Sequence, residues 1–248
     1  MSTPPMFGSV VPLDREAHKK LHLRTDLSTV DKIKQLNSMF LTTVEFSEAC
    51  KEFPIVFVRA GEAPKEGGKQ PVAPLAVLGL RPGHNLFVED GKWTANYAPA
   101  YVRRYPFMMA HIDDQGNMAL CIDDQWEGFS ESAGSALFAT DGQATEFLVN
   151  AKNFVESYER ETERTRAACH ELVELGILQD MRFESTNEAG EKVDVEGFMT
   201  VDEKKLAELD DATVVRLHRN GLLALLEMHR LSLGNMARLA QLQLARKD

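Results

Sequence analysis

Up to about residue 140 the apolar positions of this chain come in short runs broken by Gly, Pro, Asn and Asp; beyond that point they recur by threes and fours. Short bounded runs predict strands, and recurrence at three and four predicts amphipathic helices. Leu21 and Leu23 alternate with polar neighbours inside the basic cluster 18–24, as in a strand. Residues 40–46 favour a strand or a turn into one, and residues 47–52 supply a short helical turn. Residues 54–58 and 75–80 are continuous apolar runs suited to strands buried on both faces, with the Gly/Pro/Lys-rich segment 61–71 as an exposed loop between paired strands. Asp90-Gly91 between two strand-like runs predicts a hairpin. Residues 107–112 and 118–122 form a further pair about a turn at 113–116, and residues 1–16 read as a loose lead-in.

From residue 143 to 175 a stripe of Phe147, Ala151, Phe154, Tyr158, Thr165, Ala168 and Leu172 marks one long helix. At ~1.5 Å per residue it would span roughly 50 Å. Asp141 or Thr145 is placed to cap its start and Gly176 to end it. A second hairpin covers 181–198 about a turn at 187–190. Thr200-Val-Asp-Glu203 fits a capping box, and Asp210-Asp211 caps the last helical stretch, which Gly221 and Gly234 divide. The pattern is α+β: a mainly antiparallel β N-terminal region packed with long C-terminal α-helices. Residues 1–30 read as lead-in, 31–240 as one domain that is β-rich to about 140 and helix-rich after it, and 241–248 as a tail.

Composition narrows the function classes. A hydrophobic fraction of 44% and a charged fraction of 27% are ordinary for a soluble globular protein. The formal net charge of −10 opposes binding to phosphate backbones, so no nucleic-acid partner is expected; a helix-turn-helix about Gly221 or Gly234 would be needed to overturn that. Cys50, Cys121 and Cys169 are widely spaced and show no metal spacing, as reduced thiols would. The chain shows no signal peptide and no apolar run long enough to span a membrane, which predicts a cytoplasmic location.

Several motifs fall short of a reaction. His111-Ile-Asp113 at a strand end matches half of a 2-His-1-carboxylate iron site, but His170, His218 and His229 all lie in predicted helices, where such oxygenases do not place the distal ligand. Gly128-Phe-Ser-Glu-Ser-Ala-Gly134 lacks the Gly of a nucleophile elbow at Ser132 and reads as a solvated loop. In the segment 61–70, Ala63 and Gln70 replace residues a P-loop requires. Asp113, Asp114, Asp123, Asp124, Glu127 and Glu131 read as solvated acidic turns in no EF-hand register. No cofactor is implied.

What remains is a cationic and aromatic set, Arg81, Trp93, Tyr97, Tyr101, Arg103, Arg104 and Tyr105, the candidate binding surface for a protein partner. Strand alternation would turn one of Arg103 and Arg104 inward, paired with a carboxylate such as Glu89 or Asp123. The apolar helical stripes offer a homodimer face.

The run Pro74-Leu-Ala-Val-Leu-Gly-Leu80, then Asn85-Leu-Phe-Val88, Trp93-Thr-Ala95 and Tyr97-Ala-Pro-Ala-Tyr-Val-Arg-Arg-Tyr-Pro-Phe107, resembles the SapC family of bacterial proteins. The likeness continues at Pro54-Ile-Val-Phe57, Leu120-Cys-Ile-Asp123 and His229-Arg-Leu-Ser-Leu-Gly-Asn-Met-Ala-Arg-Leu239, covering roughly residues 30–240 in order. The resemblance implies a non-catalytic accessory or binding protein linked to bacterial surface-layer or outer-membrane uptake systems, and it carries over no catalytic residues. The competing class is a non-haem iron oxygenase using His111 and Asp113.

Overall fold

The computed structural model describes residues 4–24, 31–62, 67–112, 117–186 and 190–245. Residues 1–33, 88–93 and 100–160 form one compact unit; residues 34–87, 94–99 and 161–248 form a second. In chain order the first strands are β1 (Val10–Pro12), β2 (His22–Leu23), β3 (Ser38–Phe40), β4 (Ile55–Arg59) and β5 (Val72–Val77). They are followed by β6 (Val88–Glu89), β7 (Lys92–Trp93), β8 (Phe107–His111), β9 (Met118–Asp123), β10 (Phe129–Ser130) and β11 (Ser135–Ala136). Two longer strands, β12 (Leu178–Thr186) and β13 (Lys192–Val201), complete the set. The helices are α1 (Phe46–Ala49), α2 (Ala100–Arg103), α3 (Glu146–Leu175), α4 (Glu203–Ala207), α5 (Asp211–Arg219), α6 (Leu222–Ser232) and α7 (Asn235–Ala245). Antiparallel strands dominate up to α3, the hairpin β12-β13 follows it and the remaining helices come last, so the class is α+β.

In the first unit β1-β9-β8 form one sheet, β10-β2-β11 another and β6-β7 a hairpin. The hairpin turns on Asp90 (φ 49°) and Gly91 (φ 71°), the two positive φ values a type I′ turn requires. The expected lead-in carries core and strand residues. Met6 and Phe7 are buried, and β1 pairs with β9, Val10 opposite Asp123. Its apolar residues have no partner nearby in sequence, so only the distant strand reveals them. The elbow-like segment differs from a plain loop as well, because β10 and β11 flank β2 on either side. The expected turn at 113–116 lies outside the described residues, as does most of the turn at 187–190.

In the second unit a sheet of order β12-β13-β4-β5-β3 carries the helices. The unbroken apolar run of β4 is explained by Ile55, Val56 and Phe57, all 3% exposed or less. Phe57, Leu172, Ile177, Leu178, Val201 and Leu226 share its core. The strand placed at 75–80 falls earlier, as β5, and pairs with β4 on one side and β3 on the other. Thr145 caps α3 by accepting from Leu148 N at 3.3 Å, and Gly176 (φ 67°) follows its last turn. The capping box is corrected: Asp202, and not Thr200, caps α4, its Oδ1 accepting from the amides of Lys204 and Lys205, while Thr200 stays within β13. Asp210 caps α5 as expected, and Gly221 and Gly234 fall at the breaks before α6 and α7. The apolar stripe is largely buried within its own unit, at Leu217, Leu226 and Leu239, while Leu231 is 75% exposed. No helix among the described residues is long and apolar enough to cross a membrane.

Candidate functional site

Pro99 and Pro106 bracket the six residues 100–105, and this short piece coils instead of extending. Proline suits the entry of a helix and stops one further on; Arg104 N donates to Ala100 O at 2.9 Å. The expectation of a strand at Arg103-Arg104 is therefore corrected to a helical turn. Helical spacing puts Tyr101, Arg104 and Tyr105 on one face, and these are buried while Arg103 is exposed. One arginine does turn inward, but by helical geometry.

Its partners also differ from those expected. Arg104 is 5% exposed, and its Nη1 lies 3.7 Å from Oε1 of Glu159 on α3. Three rings surround its charge, Cζ standing 4.7 Å from the centroid of Tyr158, 4.8 Å from Tyr101 and 5.2 Å from Phe7. Each desolvated cation–ring contact contributes about 2 kcal/mol, which offsets part of the several kcal/mol lost on burying a guanidinium. The buried Nε has no acceptor. Burial pushes the Tyr101 phenol up, opposed by the Arg104 charge and by a hydrogen bond with Arg104; its hydroxyl donates to Pro5 O at 2.6 Å.

Beside this cage, in the same unit, Asp123 is fully buried. Its Oδ2 accepts from Gly8 N at 2.7 Å and from the Tyr105 hydroxyl at 2.8 Å, and its Oδ1 accepts from Ser9 N at 3.0 Å. The reading of Asp123 as part of a solvated acidic turn is thus corrected: it fastens the N-terminal segment to β9. Burial raises the Tyr105 phenol strongly, and the Asp123 carboxylate beside it adds to the rise. Tyr105 packs edge-on against Trp126 at 5.7 Å. Of the other acidic candidates, Asp124, Glu127 and Glu131 are exposed, and Asp113 and Asp114 lie outside the described residues.

A cavity of about 280 Å³ opens between α2 and the first turns of α3. Arg24, Arg103 and Arg104 line it together with Phe107, Phe147 and Phe154, and Arg103 lies over the Phe154 ring at 5.0 Å. Sequence reasoning found Arg103, Arg104 and Tyr105 but missed Arg24, Phe7, Tyr158 and Glu159. Phe154 and Tyr158 were legible as an apolar stripe, yet nothing local said what that stripe faces.

The remaining candidates stand elsewhere. Trp93 is half-buried on β7 in the same unit, and Arg81 and Tyr97 belong to the second unit. Tyr97 donates its hydroxyl to the buried Glu45 at 2.8 Å, a structural contact. His111 is exposed at the end of β8, and the Asp113 it was paired with lies outside the described residues. His229 is fully buried with both ring nitrogens engaged, Nδ1 donating to Ile55 O at 2.8 Å and Nε2 accepting from Val201 N at 3.2 Å. It is not available as a distal metal ligand. Among the described residues no group of three or more His, Cys, Asp or Glu side chains gathers.

No curated protein and no solved structure matches the chain. The segments that build the Arg104 cage and the Asp123 clamp fall mostly within the span matched by the model of the SapC family, residues 13–239, and the chain belongs to that family.

Proposed function

We propose that this chain is a non-catalytic binding protein, an accessory to bacterial surface-layer or outer-membrane uptake systems, and that its ligand site is the cavity beside α2. Family membership supports the setting. The observation that carries the binding role is the chemistry of the cavity wall, which offers cations and hydrocarbon. The one phenol on that wall, Tyr105, has its hydroxyl committed to Asp123 at 2.8 Å. A wall of cations and rings is suited to holding a ligand. Arg103, exposed at the rim, is the residue a protein partner would meet.

A photo-crosslinking amino acid placed at Arg103 in the native host tests the accessory role. The expected result is capture of an envelope or outer-membrane uptake protein; labelling no stronger than from the exposed Glu208 would sink it. The oxygenase reading makes the opposite demand. Iron bound stoichiometrically after anaerobic purification, and lost on His111→Ala, would replace the binding role with catalysis.

A further inference from the structure

The cavity beside α2 is lined by both arginines and phenylalanines, and that pairing selects a ligand class. Arg24, Arg103 and Arg104 line it, and none of the described lining residues is a carboxylate, although the chain carries a formal net charge of −10. Arg104 is compensated only in part. Its carboxylate partner at 3.7 Å is beyond hydrogen-bond reach, its Nε is buried without an acceptor, and three rings offset its charge, with the Tyr101 hydroxyl hydrogen-bonded to it. A guanidinium is a planar fork of donors that fits a carboxylate in two parallel bonds.

The rest of the wall gives the ligand its body. Phe107, Phe147 and Phe154 present hydrocarbon, and the volume of about 280 Å³ is at the small end for an organic ligand. Glu159 beside Arg104 lowers the net positive charge that faces the site, which favours a singly charged guest over a phosphate.

Resting on the reading of this cavity as the chain's binding site, we infer that it takes a small organic carboxylate with a compact aryl or branched-alkyl body. The carboxylate meets the arginines and the body lies against the phenylalanines. Because Arg103 is at the rim and exposed, it is the residue that can be changed without disturbing the buried cage.

Isothermal titration calorimetry on the full chain at low salt tests this with phenylacetate, benzoate and isovalerate as probes, phenylacetamide as the uncharged control and inorganic phosphate as the competing anion. At least one carboxylate binds, phenylacetamide binds about tenfold more weakly or worse, and Arg103→Gln weakens the carboxylate by about tenfold while melting as the parent does. Added salt weakens binding further. The inference is overturned if none of the three carboxylates binds at millimolar concentration, if the amide binds as well as phenylacetate, or if phosphate outcompetes all three. Those failures leave the accessory role intact whenever crosslinking from Arg103 still captures an envelope protein. A chain that binds the carboxylates but captures no such protein keeps this ligand and loses that role.

Discussion

Acidification removes a defined part of the second unit's stability through His229. The imidazole is fully buried, held between Ile55 O at 2.8 Å and Val201 N at 3.2 Å, and packed 5.0 Å from the Phe57 ring. Because a carbonyl only accepts, Nδ1 carries the hydrogen and Nε2 is the acceptor, so a second proton has nowhere to go without breaking the Val201 bond. Burial accordingly lowers the group from its ordinary 6.5 to about 4. The unfolded chain then takes up the proton first as pH falls. This contribution is fully present above pH 6.5, declines through the window down to about 4, and is absent below it. At about 1.36 kcal/mol per pH unit over a window from 6.5 to about 4, the loss is about 3 kcal/mol. Urea unfolding of the parent and of His229→Phe, followed by far-UV circular dichroism at a series of pH values, isolates it, since every other titrating group is common to both. Near neutrality the variant is less stable, by about 1–3 kcal/mol for each buried backbone group left unpaired. The gap should close by about 3 kcal/mol between pH 7 and pH 4. A gap that stays constant across that range would show that His229 titrates normally in the folded state and that its burial and tautomer are misassigned. Tryptophan fluorescence is the wrong probe here, because Trp93 and Trp126 both lie in the first unit.

Other measurements probe the first unit and the thiols. Asp123→Asn sets an amide against donors from Gly8, Ser9 and Tyr105 and should cost about 3 kcal/mol by tryptophan-detected unfolding, against about 0.5 kcal/mol or less for the exposed Asp124→Asn; equal effects would mean Asp123 is solvated. Gly128→Ala places a Cβ 2.2 Å from the Trp126 ring, so the near-ultraviolet circular dichroism of Trp126 should change with a loss of about 1–3 kcal/mol, and an unchanged spectrum contradicts that packing. Burial raises the Cys169 thiol to about 12 and the buried Cys121 upward as well. A thiol reagent at pH 8 should therefore label the partly exposed Cys50 in the native protein, and Cys121 and Cys169 only after denaturation; rapid native labelling of Cys169 would refute its burial.

Where the governing chemistry is local, it could be read from the residues. Asp90-Gly91 sets its own turn because both residues tolerate positive φ, Thr145 and Gly176 bound α3, and Asp210 caps α5. Reading failed where a residue's environment is supplied from far along the chain. The donors to Asp123 come from residues 8, 9 and 105, so an acidic residue next to Asp124 had no local mark of burial. The Arg103-Arg104 pair failed differently. Two prolines close to it imposed a helical turn, and choosing the wrong period changed the predicted partner of the buried arginine from Glu159 to Asp123 or Glu89. Thr200 shows a third kind of failure: it fits a capping pattern, but strand pairing in β13 claims it first and leaves Asp202 to cap.

Arg104 bears most directly on what the fold is for. A buried ion pair is, as a rule, no more stable than well-packed hydrocarbon of the same volume, and it is less stable when the partner is not hydrogen-bonded. Tyr101, Tyr158 and Phe7 already pack around this position, and a methionine there would meet the same rings without desolvating a charge or orphaning Nε. The side chain is thus not explained by stability alone. Its neighbours point the same way, since Arg24 and Arg103 bring two further cations to the same cavity wall. A recognition device keeps donor capacity for a group that arrives from outside, and the position of Arg104 on the wall of an aromatic cavity is the arrangement such a role requires.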